Sequence, residues 1–128
     1  MPPPNLRPFD LIVDIGAREG DTCLWYFALG YRKFRLVEPN AKYFPNLYEN
    51  TKELERLGCI IELKTEPFKP EHLDGAKFVK FDCEGCEYLI NVFELSVPFV
   101  VEFHEKTKPN EKGIYNYVKA IGYFRGNC

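Results

Sequence analysis

Residues 11–22 read LIVDIGAREGDT. A run of apolar and branched residues carries one carboxylate, Asp14, and then opens into a turn spaced by Gly16 and Gly20. A short, nearly continuous apolar run bounded by glycine is the pattern of a strand covered on both faces, as in a parallel sheet. The question is why a buried-looking strand should end in a carboxylate and then open into a glycine-spaced turn. Two explanations compete. One is a loop whose backbone needs two glycines; the other is a ligand site at the tip of the strand.

The elements downstream point to an α/β fold. Residues 21–29 read as a helix, with Asp21 or Thr22 as N-cap and Gly30 past its end. Its TCLWYFAL segment is apolar nearly all round, which predicts deep burial. Residues 34–37 read as a strand. Residues 43–57 read as a helix, with Pro45 in its first turn and Phe44, Leu47, Tyr48 and Leu54 on its apolar face. Strands are predicted over 59–63, 78–81 and 99–103, and one short helical turn within 66–75. A helix is predicted over 85–95, because Cys86, Leu89, Ile90 and Phe93 recur at the spacing of one buried face. A last helix carries Ile114, Tyr117, Val118 and Ile121, with Gly122 after it, and residues 123–125 could start one more strand.

Strands separated by helices imply right-handed crossovers and a mostly parallel, three-layer αβα arrangement. The third strand belongs at the sheet edge, beyond strands two and one from strand four. Its link to strand four must cross roughly 15 Å at the usual strand spacing. A dozen residues reach roughly 40 Å when extended, so the link suffices without a full helix.

The bulk numbers narrow the classes of function. A chain of 128 residues suits one domain, here residues 11–128 after an extended arm over residues 1–10. Its 45% hydrophobic and 28% charged residues are ordinary for a globular protein. A formal net charge of −2 lacks the basic excess of a nucleic-acid-binding surface, so nucleic acid is not an expected partner. No apolar run approaches the length of a membrane span, so no membrane partner is expected. The opening MPPPNLRPF lacks the apolar core of a secretion signal, which makes the cytoplasm the expected location. Five cysteines, an odd number, argue against a disulfide framework. Cys83-x-x-Cys86 alone is a weak signal for zinc or redox chemistry and reads first as a structural pair. A disulfide there stays open, since intracellular proteins of some hyperthermophiles carry them.

Ligands of open parallel sheets bind beyond the carboxyl ends of the strands. Those ends are polar and mostly acidic here: Asp14 with Gly16, Ala17 and Gly20; Glu38 and Asn40; Asp82, Glu84 and Glu87; Glu102 and His104. Glu38 lies 24 residues after Asp14. An acidic residue about 20 residues beyond a glycine turn is placed to accept hydrogen bonds from ribose hydroxyls. The turn lacks the middle glycine of the dinucleotide pattern, and Glu19 and Asp21 beside the helix start would repel a pyrophosphate. A cationic ligand without phosphate, such as S-adenosylmethionine, suits it better.

VDIGAREGDT resembles the first motif of class I, Rossmann-like methyltransferases, and more closely the pattern D-x-G-A-N-x-G-D-[ST] of the FkbM-type family. LVEPN over residues 36–40, FVKFDCEGCE over 78–87 and VVEFH over 100–104 are similar to that family's E-P-N, K-x-D-x-E-G-x-E and E-x-H motifs. Together the four motifs cover residues 11–104 in the family's order. The resemblance implies a Rossmann-like methyltransferase sheet, S-adenosylmethionine as cofactor, and methyl transfer to a hydroxyl of a sugar or related small metabolite. It places Asp14, Gly16, Ala17 and Gly20 along the methionine part, Glu38 on the ribose, Asn40 near the adenine, and Asp82, Glu84 and Glu87 toward the reactive end.

The chain departs from the pattern twice. Arg18 stands where the family has Asn. Only six residues follow Gly122, where the usual fold adds a sixth and a seventh strand, so the resemblance is to a minimal version with a shortened C-terminal end. A hydroxyl acceptor needs a base, for which Asp82, Glu84 and His104 are the candidates. Asp82 and Glu84 alone offer too few oxygens for a hard cation, so no metal is assigned. A homodimer could complete the short acceptor side. The competing function is a trimmed domain that binds S-adenosylmethionine or a protein partner without catalysis of its own.

Overall fold

The computed structural model describes residues 6–83, 96–103 and 120–125. These residues form one six-stranded sheet in the order β3-β2-β1-β4-β5-β6. Its strands are β1 (Ile12–Ile15), β2 (Lys33–Val37), β3 (Ile60–Lys64), β4 (Phe78–Phe81), β5 (Pro98–Phe103) and β6 (Ala120–Arg125). The first five run parallel, and β6 returns antiparallel along β5. Two α-helices are described, α1 (Asp21–Ala28) and α2 (Phe44–Arg56). The architecture is the α/β, Rossmann-like sheet expected, with β3 at one edge. The link from β3 to β4 carries one turn of 3-10 helix, Pro70–Leu73.

Strand β1 is central, and all four of its residues are buried. Alternation along it divides the core in two. Ile12 joins Phe34, Leu36 and Phe78 under Cys23 and Tyr26 of α1 and Leu47 and Leu54 of α2. Val13 and Ile15 join Val37, Val79, Phe81, Phe99 and Val101 on the opposite face, with Phe68 and Leu73 of the β3–β4 link packed against them. Burial of large side chains such as Phe34, Phe78 and Phe81 contributes about 1.5–3 kcal/mol each. Residues 7–10 form a turn, and its Pro8 carbonyl accepts from the Arg32 N–H at the start of β2.

Several expectations change. The N-cap of α1 is Gly20, in the left-handed conformation at φ 89°, so Asp21 and Thr22 fall inside the helix. Only Cys23 and Tyr26 of α1 are buried; Leu24, Trp25 and the following Leu29 are exposed, because one face alone meets the sheet. In α2 the buried line is Leu47, Thr51 and Leu54, while Tyr48 points outward. Thr51 is tolerated there because its hydroxyl donates to the Tyr48 carbonyl. Pro98 opens β5, where its missing N–H matters least. Ile121 and Gly122, assigned from periodicity to a last helix, lie in β6, where pairing with Glu102 and Val101 overrides the helical pattern. The predicted helix over 85–95, and Ile114, Tyr117 and Val118, lie outside the described residues.

Cys83 is disulfide-bonded, the alternative left open at the Cys83-x-x-Cys86 pair. Cys23 and Cys59 are buried thiols. Among the described residues no helix is long and apolar enough to cross a membrane.

Two backbone positions make the turn after β1 sensitive to sequence. Gly16 sits at φ 88°, and a Cβ there would lie 1.9 Å from the Asp82 carbonyl oxygen. Arg18 sits at φ 53°, a left-handed conformation that favours Asn or Gly. The family pattern's Asn thus marks a conformational requirement that this chain meets with strain. Gly16→Ala is expected to lose at least about 2 kcal/mol of stability in urea unfolding, from overpacking and backbone strain together. Arg18→Asn is expected to gain about 0.5–1 kcal/mol in the same assay, as strain in the left-handed region is relieved.

Candidate active site

The carboxyl ends of β1, β2 and β4 form one rim, and the turn after β1 is held to it from both sides. Gly16 and Ala17 each donate a backbone N–H to the Val37 carbonyl at the end of β2, at 2.9 and 3.1 Å. On the other side the Asp82 N–H donates to the Ile15 carbonyl, and the Asp82 carbonyl occupies the space a Gly16 side chain would need. Gly16 therefore serves first the seam between β1 and β4, and its amide is committed to β2. Ala17 is buried in the core. From α2, Asn50 donates to the Glu19 carbonyl and Asn46 to the Glu19 carboxylate, which fixes the far side of the turn.

Glu38 extends β2 and is buried, 4% exposed. Its two carboxylate oxygens accept the backbone N–H groups of Arg18 at 2.7 Å and Asn40 at 2.8 Å. A carboxylate offers about four acceptor positions, so two remain after these bonds, enough for a diol. The Asn40 side chain is exposed and accepts from the Lys42 N–H, capping the 3-10 turn Ala41–Tyr43.

Asp14 differs from Glu38. It is 2% exposed, and neither of its oxygens has a hydrogen-bond partner among the described residues. Its cross-strand neighbour on β4 is Lys80. The Lys80 ammonium lies 3.6 Å from Asp14 Oδ1 and 3.5 Å from Asp82 Oδ2, and its side chain is only 18% exposed. Burial pushes the Asp14 carboxyl above the usual carboxylate range against the pull of Lys80, with Asp82 and Glu38 adding to the rise. Burial acts to lower the Lys80 pKa, but the two aspartates outweigh it and hold the ammonium above its ordinary value. Burial, with Asp14 next, keeps the Cys23 thiol protonated well beyond neutral pH, which makes it a poor nucleophile.

The structure thus brings Asp14, Gly16, Ala17, Gly20, Glu38 and Asp82 to one rim, with Asn40 at its margin. Glu84, Glu87 and His104 lie outside the described residues. Sequence reasoning gave no role to Lys80. Its signal was present: a lysine in the run FVKF, within a central strand, needs a partner because a buried charge is rarely tolerated alone.

No protein-family model matches the chain, and no curated protein does. Solved structures do. The C-terminal domain of precorrin-6Y C5,15-methyltransferase from Rhodobacter capsulatus superposes with a TM-score of 0.59 at 18% identity over 80% of this chain and 58% of that one. An RNA methyltransferase from Salinibacter ruber, in complex with S-adenosyl-L-homocysteine, gives 0.59 at 16% identity over 80% and 71%. A putative S-adenosylmethionine-dependent methyltransferase from Listeria monocytogenes gives 0.54 at 12% identity over 86% and 60%. The chain spans 58% of the first of these and 60% of the last. At these identities the likeness is one of fold: a Rossmann-like sheet of the kind these methyltransferases share.

The unpartnered Asp14 yields a prediction with a definite sign. A carboxyl whose pKa is raised on folding contributes stability below its unfolded pKa, and that contribution is lost as pH rises through the folded value. Ionised Asp14 therefore weakens the fold at neutral pH. Asp14→Asn is expected to raise the urea midpoint at pH 7, with the gain shrinking as pH falls toward 4. A lower midpoint for the variant at pH 7 would contradict this.

Proposed function

We propose that the rim binds S-adenosylmethionine, and that the chain transfers the cofactor's methyl group to a hydroxyl of a sugar or other small metabolite, as the FkbM-like motifs suggest. The observation that carries the reading is Asp14. A buried carboxylate that has an ion-pair neighbour at 3.6 Å but no hydrogen-bond partner among the described residues is expensive, and a ligand N–H group would satisfy it. The remaining residues fit the same ligand. Glu38 keeps two acceptor positions for ribose hydroxyls, and Asp14, Glu38 and Asp82 make the rim attractive to a cation. When bound, the cofactor supplies an electrophilic methyl carbon on a sulfonium.

The chain's own residues bind, orient and screen. Asp14 accepts from the amino end, and Glu38 anchors the ribose while holding the turn through the Arg18 N–H. Asp82 borders the reacting end and, with Glu84 and His104, is a candidate to take the acceptor hydroxyl's proton. Small-molecule acceptors, a cytoplasmic location and a homodimer belong to the same proposal. The second reading is a domain that binds the cofactor or a protein partner without transfer.

The test is incorporation of a labelled methyl group from S-adenosylmethionine into a panel of sugars and hydroxylated metabolites. Incorporation is expected for wild type. Glu38→Gln, which keeps the size of the side chain but removes its charge, is expected to lower kcat/KM for the cofactor at least about tenfold, the worth of a charged hydrogen bond. Cofactor binding without incorporation into any acceptor favours the second reading. An unchanged kcat/KM in Glu38→Gln contradicts the ribose assignment.

A further inference from the structure

Among the described residues Asp14 has one cationic neighbour, at ion-pair distance and longer than a strong hydrogen bond. A charge-assisted N–H···O bond spans about 2.7–2.9 Å. Lys80 Nζ stands at 3.6 Å from Asp14 Oδ1 and at 3.5 Å from Asp82 Oδ2, between the two carboxylates. The parallel register sets this distance: Asp14 and Lys80 are opposed on adjacent strands and emerge on the same face. Both backbones are fixed in the middle of the sheet, so the separation does not depend on a loop.

We propose that Lys80 is a positioning residue whose ammonium, set beside Oδ1, holds Asp14 as a carboxylate with acceptor positions left for the ammonium group of an incoming ligand. The proposal rests on the cofactor reading above and deepens it, because it names the ligand's recognised end as a primary ammonium. A donor at hydrogen-bond distance would satisfy Asp14 but occupy an acceptor position. No cation at all would leave Asp14 to the groups that face it: Asp82 beyond β4, Glu38 beyond β2 and the Cys23 thiol on α1. Two of these are carboxylates, and Lys80 is the one cation facing Asp14 among the described residues. Without it, burial and like charge act unopposed and the carboxyl takes up a proton. A protonated Asp14 must release that proton before it can pair with an ammonium, so binding becomes steeply dependent on pH.

The experiment follows Asp14 directly. Carboxyl-¹³C aspartate is placed in wild type, Lys80→Met and Lys80→Gln, and the Asp14 resonance is assigned by its loss in Asp14→Asn. In the ligand-free protein the Asp14 midpoint is expected to move up by about one pH unit or more in both variants, the usual effect of losing an opposite charge at this distance. Titration with S-adenosylmethionine is then expected to show affinity weaker than wild type at pH values below the raised Asp14 midpoint, by the ratio of the two ionised fractions read from the same spectra, and equal to wild type well above it. A purely structural role would lower affinity equally at every pH, and that result overturns the proposal. An unmoved Asp14 midpoint in whichever variant folds also overturns it. A raised midpoint in a protein whose wild type binds no S-adenosylmethionine supports the hold of Lys80 on Asp14 and overturns the cofactor reading instead.

Discussion

The contact between Gly16 and the Asp82 carbonyl is the constraint on which the rest of the rim depends. It lets the turn after β1 lie directly against the end of β4, with no side chain between them. The Val37 carbonyl closes the same turn from β2 by taking two backbone N–H groups. Three strand ends are thereby brought to one edge at fixed spacing. Asp14, Glu38 and Asp82 meet there although 68 residues separate the first from the last in sequence. The glycine is thus explained by packing within the protein, and the rim it creates is what a ligand would use.

The charges on that rim are arranged at a cost to the fold. Glu38 is satisfied by two backbone donors, whereas Asp14 is buried with no hydrogen-bond donor among the described residues. Sites that keep a group unsatisfied in the folded protein are commonly those that bind or react, and the rest of the structure sustains them. Here the support comes from the core on both faces of β1 and from Lys80, whose ammonium is itself held between two carboxylates. Stability and readiness to bind pull against each other at this one residue.

Much of this was legible in the chain. Strand β4 over residues 78–81 matched its prediction, and β1, β2, β3 and β5 were placed within a residue at either end, because short apolar runs between glycine and proline leave little choice. The edge position of β3 followed from topology. Asp14 and Glu38 stood out because a charged residue within or directly after an apolar strand is conspicuous. Helix α1 misled, since an apolar composition says nothing about how many neighbours surround it; Trp25 and Leu24 face outward because the sheet lies on one side only. Strand β6 misled for a related reason, as its partner β5 decides its conformation and local periodicity does not. Lys80 was quoted within a motif yet went unassigned, because its meaning arises only from the register that sets it across from Asp14. Arg18 could be noticed as a departure from a pattern, but its positive φ could not be read from residue type alone.

The central claim is that the strand-end carboxylates form a site for a cationic adenosyl cofactor. Calorimetric titration of the intact chain with S-adenosylmethionine, S-adenosylhomocysteine and NAD tests it most directly. The account predicts one-to-one binding of the first two, no binding of NAD, and loss of binding in Asp14→Asn without loss of the fold. A folded wild-type protein that binds none of the three, or that binds NAD alone, would contradict it.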